Sequence, residues 1–393
     1  MIDSLYIAWQ YIRFNKAKTI TLVACITLVS FLPIALELLL IESERQLMSR
    51  AATTPLIAGA KGSALDLVMN SLYFSDEVPE LITLDAADQI METDLALPIP
   101  IYVRFRARGH PIIGTTFDYF DFRGLEIAEG RQLAVLGDCV LGARVAEDLD
   151  LKPSDNLVSS PENLFDIAGI YPLKMKVVGI LKKSHTSDDL AVFVDLKTAW
   201  IIQGFGHGHE DVTKLKDPTL VLKRTESNVA ATAKLYHYTE ITEKNIDSFH
   251  FHGIISKYPI TAVLAVPNDS KSGTLLRGRY LEKDETNQIV RPVDVIDSLL
   301  QNIFRIKNIL DAIISMVAFA MVLAVVLVFA LSLRLRQREM LTIFRLGCSR
   351  MTMVRILGAE ILIIVAFSGL LCGGMVFTVS RFANDLVRML VIR

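Results

Sequence analysis

Three apolar runs, 20–41, 309–333 and 356–379, constrain this chain more than any other feature. Each reaches the ~20 residues that a helix needs to cross ~30 Å of hydrocarbon. A helix that is apolar on all sides is stable in lipid or in the core of a large protein, not on a wet surface. The long stretch 42–305 between the first two runs has ordinary globular composition. The expected fold class is therefore membrane α-helical, with three spans and a large inserted α+β extracytoplasmic domain. In order, the parts are a cytoplasmic interfacial helix (1–19), the first span (20–41), the inserted domain (42–305), the second span (309–333), a cytoplasmic loop (334–355), the third span (356–379) and a C-terminal tail (380–393).

Charge sets the orientation. Arg13, Lys16 and Lys18 precede the first span, and the second loop carries Arg334, Arg336, Arg338, Arg345, Arg350 and Arg355 against one acid, Glu339. Short loops rich in Lys and Arg stay inside, so the N-terminus and 334–355 are cytoplasmic and 42–305 lies outside. The first run is longer than a secretory signal core and no small-residue cleavage site follows, so it reads as an uncleaved anchor. Ahead of it, Leu5, Tyr6, Trp9 and Ile12 share one helical face, as in a helix lying under the inner leaflet. The alternative is that these residues extend the first span. Net charge is only -2, so nothing points to nucleic-acid binding, and the positive charge sits in specific loops instead. Of the 4 cysteines only Cys139 lies in the inserted domain, so that domain has no internal disulfide and relies on an apolar core.

Within the inserted domain, 42–50 reads as a continuation of the first helix into water, stopping before Pro55. GAKGS (59–63) is mis-spaced for a phosphate loop and reads as a turn. Ile101–Phe105 alternates and pairs with Pro111–Thr115 across Gly109. Further strands are expected at Cys139–Gly142, Lys174–Leu181, Ala191–Val194 and Thr261–Val266, with helices at Ala143–Leu149, Leu196–Ile202 and from Val293 onward. Lys152–Asp155 and the polar stretch Ser184–Asp189 are expected turns. In the basic loop, Met340, Leu341, Ile343, Phe344 and Leu346 form a short helical pattern that Gly347 can end, and Ser349 can cap the next helix. Such a helix suits contact with something at the inner face, either a protein or lipid headgroups.

Three stretches carry a family likeness. CVLGARVAEDLDLKPSDNL (139–157), YPLKMKVVGILKKSHTSDDLAVFVDLKTAW (171–200) and REMLTIFRLGCSRMTMVRILGAE (338–360) resemble the FtsX-like permeases of the macrolide-exporter and lipoprotein-releasing class of ABC transporters. In that likeness, 174–194 is a hairpin and the loop pattern is Arg-Glu-x-x-x-x-Arg-x-x-Gly-x-Ser. The resemblance implies a non-catalytic transmembrane subunit in a bacterial inner membrane. Two permease copies, identical or not, would pair, and a separate ABC ATPase would bind ATP. Arg338, Glu339, Leu341, Phe344, Arg345, Gly347 and Ser349 would couple that ATPase to movement of the outer domain. The cargo would be a lipoprotein, a peptide or a hydrophobic compound, with a periplasmic adaptor or lipoprotein as a further partner. The family's fourth span has no counterpart in 380–393, which is too short to cross a bilayer.

Two histidine pairs stand apart from that likeness. His207 and His209 lie in GFGHGHEDV, and His250 and His252 in SFHFHG. On a strand, residues i and i+2 share a face. Imidazoles converging this way suit Zn²⁺, the alternative being that these glycine-rich loops are simply polar and solvated. A metal-sensing or regulatory module controlling a periplasmic partner is the rival reading. No His-Glu-x-x-His helix and no nucleophile–base arrangement is present, which argues against an enzyme. Glu37, near the outer end of the first span, is an intramembrane candidate by its chemistry; the alternative is that it only reaches the outer headgroup region, with Pro33 bending the helix toward water.

Overall fold

The computed structural model describes residues 2–161, 172–208, 221–224, 229–231, 238–281, 286–335, 342, 345 and 349–391. The chain divides into two compact units, Met1–Gln46 with Leu299–Val391, and Leu47–Ser298.

The first unit is helical. A bend at Asn15 separates the Ile2–Phe14 helix from the Lys16–Ala52 helix. Leu5, Tyr6 and Trp9 are exposed, as a lipid-facing side requires, but Ile12 is buried against Leu22 and Ile364. The other long helices are Pro292–Leu335 and Arg350–Val391. The latter runs through most of the expected C-terminal tail. Among the described residues, three helices are long and apolar enough to cross a membrane, with windows of mean hydropathy 2.4, 2.6 and 2.4. Thr27 Oγ1 donates to the Ser368 carbonyl and Ser368 Oγ to the Val23 carbonyl, each at 3.4 Å. Small polar side chains of this kind hold membrane helices together where apolar burial gives no net drive.

The second unit is built on a 10-stranded mixed sheet. From one edge the order is Asn287–Val290, Leu56–Ala60, Ala262–Pro267, Ala96–Ala107, His110–Thr115, Val192–Asp195, Asp138–Leu141, Lys174–Leu181 and Ile127–Gly130, with Asn156–Val158 also pairing with Lys174–Leu181. The Ala96–Ala107 and His110–Thr115 strands form the expected hairpin, with Ala107 opposite His110. Arg108 (φ 48) and Gly109 (φ 88) make its two-residue turn, and two positive φ values match the twist of the flanking strands. The 174–194 segment is not a hairpin. Asp138–Leu141 lies between its two strands, parallel to Lys174–Leu181 and antiparallel to Val192–Asp195.

Helices at Ala143–Leu149 and Leu196–Gln203 fall where the apolar spacing places them, and Asp195 caps the second by accepting from Lys197 N at 2.9 Å. Of GAKGS, Gly59 and Ala60 end the Leu56–Ala60 strand rather than turning, and only Lys61–Ser63 make the turn. Ser63 caps the Ala64–Tyr73 helix, accepting from Asp66 N at 3.2 Å. Trp200, Tyr102 and Phe193 are among the fully buried side chains of the core.

Candidate functional site

Leu47, Arg50 and Ala51, in the last turns of the Lys16–Ala52 helix, are buried within the second unit. Residues 42–50 are therefore not a fully solvated extension. Arg50 donates from Nη1 to Asp188 Oδ2 at 2.6 Å and from Nη2 to Asp188 Oδ1 at 2.9 Å, with side-chain exposures of 6% and 2%. Arg50 Nη2 also donates to the Tyr119 hydroxyl at 2.9 Å, which donates to Asp188 Oδ1 at 2.8 Å. Thr186 Oγ1 donates to Asp188 Oδ2 at 2.8 Å, and the Tyr73 hydroxyl donates to the Leu47 carbonyl. Arg123 donates to Thr54 Oγ1 at 2.9 Å and lies over the Tyr119 and Phe122 rings.

Asp188 sits in a short 3₁₀ turn, Ser187–Leu190, inside the segment expected to be a polar connector. Ser187, Asp188 and Asp189 are all buried there. Burial raises the Asp188 carboxyl. The Arg50 charge and hydrogen bond, the Arg123 charge and the Tyr119 hydroxyl outweigh that effect and hold it at about 2. Burial pushes the Tyr119 and Tyr73 phenols up to about 12. The pair therefore stays ionised and desolvated. Sequence reasoning missed Arg50, because nothing near it points to a partner 138 residues away.

In the connector between the second and third long helices, Thr342 and Arg345 are helical and exposed. Ser349 caps the Arg350–Val391 helix, its Oγ accepting from Thr352 N at 3.2 Å. Arg338, Glu339, Leu341, Phe344 and Gly347 lie outside the described residues. Glu37 is paired with Lys307, Nζ to Oε2 at 2.5 Å. A second pair escaped the sequence reading: Lys18 Nζ meets Glu360 Oε1 at 3.0 Å, with Glu360 3% exposed.

The histidines converge on a two-stranded ribbon. Gly206–Gly208 pairs antiparallel with Phe249–Phe251, placing His207 opposite His250. His252 is two residues beyond His250, and the ligand nitrogens of His207, His250 and His252 all lie within 4.8 Å of one another. His209 lies outside the described residues.

The MacB-like periplasmic core domain family matches residues 23–235, more than half of the chain. The chain belongs to that family of ABC transporter permeases. Two solved structures are similar at low scores. The periplasmic region of MacB from Actinobacillus actinomycetemcomitans has 11% identity, covers 65% of this chain and 98% of that one, and gives a TM-score of 0.35. The extracellular domain of the noncanonic ABC-type transporter YknZ from Gram-positive bacteria has 12% identity, covers 60% and 98%, and gives 0.31. Neither score carries weight beside the family match. No curated protein matches the sequence.

As a MacB-like permease, the chain has a periplasmic core domain in the unit read from sequence as extracytoplasmic. Arg50, Tyr119, Asp188 and His207 fall inside the matched residues, whereas His250 and His252 fall beyond them.

Proposed function

We propose that this chain is the multi-pass transmembrane subunit of an ABC complex in a bacterial inner membrane. ATP hydrolysis in a separate ATPase subunit is coupled, through the connector around Glu339–Leu346, to movement of the periplasmic core domain. Two permease copies frame the complex, and the cargo is a lipoprotein, a peptide or a hydrophobic compound handled outside the membrane.

The observation that carries this reading is the Arg50 anchor. The Lys16–Ala52 helix has 37 residues, about 55 Å at 1.5 Å per residue, against a hydrocarbon thickness of ~30 Å. Its last turn carries a bidentate, desolvated ion pair within the core domain. Arg–carboxylate forks are directional as well as strong, so displacement or rotation of the helix end is passed to the Ser187–Leu190 turn. A flexible tether would need no such pair. The basic connector, whose Thr342 and Arg345 are exposed, supplies the inner contact for the ATPase.

The test is Arg345→Glu. Its side chain is exposed, so the substitution leaves the membrane fold intact. The expected result is loss of ATPase co-purification with the detergent-extracted permease at unchanged permease level. Undiminished co-purification and undiminished ATPase stimulation would overturn the proposal.

A further inference from the structure

The His207–His250–His252 ribbon has the construction of a metal site, and we infer that it binds a borderline divalent transition metal, Zn²⁺ first, through three imidazoles. The inference does not depend on the transport reading.

The ribbon has two unlike faces. Across the ladder, Gly206 faces Phe251, His207 faces His250, and Gly208 faces Phe249. Side chains alternate along a strand, so the histidines share one side while the glycines and phenylalanines share the other. Phe249 and Phe251 pack against the hydrophobic core. A Cβ on Gly206 would lie 2.6 Å from Phe251 Cε1, and one on Gly208 would lie 2.6 Å from Phe249 Cδ2. Glycine at both positions therefore lets the two rings lie flat on the partner strand and pin the ribbon, leaving its opposite face to the imidazoles. The Tyr258 hydroxyl donates to the His252 carbonyl at 2.7 Å and fixes the third histidine's backbone.

The three rings form a nearly equilateral set, with centroid separations of 4.8 Å (His207–His250), 4.9 Å (His207–His252) and 4.8 Å (His250–His252). Ligand nitrogens in a tetrahedral zinc site, each ~2.0–2.1 Å from the ion, stand roughly 3.3 Å apart, so small ring rotations close the set. His250 is already set as a ligand. Its Nδ1 lies 2.9 Å from the Ser248 carbonyl oxygen, which can only accept, so Nδ1 carries the proton and Nε2 is the atom that would ligate the ion. A second ring nitrogen donating to a backbone carbonyl is the usual support of a metal-bound histidine. An all-imidazole set selects Zn²⁺, Cu²⁺ or Ni²⁺ over Ca²⁺ and Mg²⁺, which require oxygen ligands. Three protein ligands leave a fourth position for water or for a donor from a partner.

The experiment uses the full chain in detergent, stripped with chelator and titrated with Zn²⁺ against a chromophoric competitor. The expected result is one Zn²⁺ per chain at micromolar affinity or tighter, with at least tenfold loss in His252→Ala and no binding in the triple variant H207A/H250A/H252A. His185→Ala, remote in sequence from the ribbon, should bind as the parent does. Co²⁺ loading of the unaltered chain needs no variant and should give the intense visible bands of four-coordinate cobalt. Absence of Zn²⁺ uptake, retention of full affinity in the triple variant, or only the weak bands of octahedral cobalt would each overturn the inference.

Discussion

Arg50 and Asp188 meet through two parallel hydrogen bonds of 2.6 and 2.9 Å, although 138 residues separate them in the chain. One closes the helix that contains the first membrane span, and the other sits in the turn leading into the central Val192–Asp195 strand. Both are almost fully withdrawn from solvent. A buried pair is weak evidence for stability relative to an apolar alternative, because desolvation offsets much of the attraction. Its geometric specificity is the more important property here, since it fixes one orientation of the helix end.

Removing one partner should therefore be far worse than removing both. Arg50→Met leaves the Asp188 carboxylate buried without its cation, and such losses cost about 3–5 kcal/mol. The double variant R50M/D188L should recover a large part of that stability while losing the directional contact. Denaturant unfolding of the core-domain signal in the full chain measures the first effect. ATP-dependent transport in the double variant measures the second, and it should stay impaired despite recovered stability.

The same pair sets an acid limb. The Asp188 carboxyl is held at about 2 in the folded chain against 3.8 for an unperturbed one. Its folded value is the lower, so the contribution is present above pH ~4 and is lost as pH falls toward 2. At 1.36 kcal/mol per unit this is about 2 kcal/mol. Stability measured at pH 7 and pH 4.5 should differ little through this group, then fall between pH 4 and 2. In D188N that part of the fall should vanish. On the alkaline side the Tyr119 and Tyr73 phenols, pushed up by burial to about 12, favour the folded state below pH ~10 and cease to do so as pH rises through 12. Absorbance titration of tyrosinate should show one late phenol fewer in Tyr119→Phe than in the parent.

Local pattern made much of this molecule legible. The alternation of Ile101–Phe105 and the Arg108–Gly109 turn define a hairpin without outside help, and the helices after Gly142 and Asp195 begin where extended backbone gives way to helical spacing. What could not be read is non-local. Lys174–Leu181 has the look of a strand, but its pattern cannot say that Asp138–Leu141 will lie between it and Val192–Asp195. Leu56–Ala60, with two alanines and a glycine, has little strand preference of its own and is extended because it bridges Ala262–Pro267 and Asn287–Val290. The histidine pairs were visible as pairs, whereas the ladder that brings His207 against His250 was not. Arg50 was hidden in a charged run that resembles any solvated helix end.

Gly142 offers a steric test of the Asp188 turn. Its φ of −62° is open to any residue, so its need for glycine is one of space. A Cβ there would press on the Asp188 carbonyl oxygen and lie 2.5 Å from that of Asp189. Backbone cannot yield as a flexible side chain does, so Gly142→Ala should cost about 1–3 kcal/mol, as overpacking in a tight core does. Because the displaced atoms carry Asp188, the variant should also weaken the Arg50 fork. Non-additivity of G142A with R50M in a double-mutant cycle is the expected sign, and simple additivity would place the strain elsewhere.

Lys18 and Glu360 provide the corresponding test in the membrane unit. Glu360 lies near the start of the third apolar run, 3% exposed, and its carboxylate is met by Lys18 at the start of the first. A carboxylate in that setting needs a cation, and Lys18 supplies one. Glu360→Lys sets two ammonium groups against each other where the Lys16–Ala52 and Arg350–Val391 helices meet. Lys18 keeps 21% of its exposure, so the penalty should be about 1–2 kcal/mol, below that of a fully buried pair. The variant should extract from membranes in lower folded yield and melt earlier in detergent. Reversing the pair as K18E/E360K should restore both, because Thr27 and Ser368 already hold the same two helices in register. If the reversed pair melts no later than E360K alone, the two side chains do not act on each other, and the bonds around Ser368 set the helix contact by themselves.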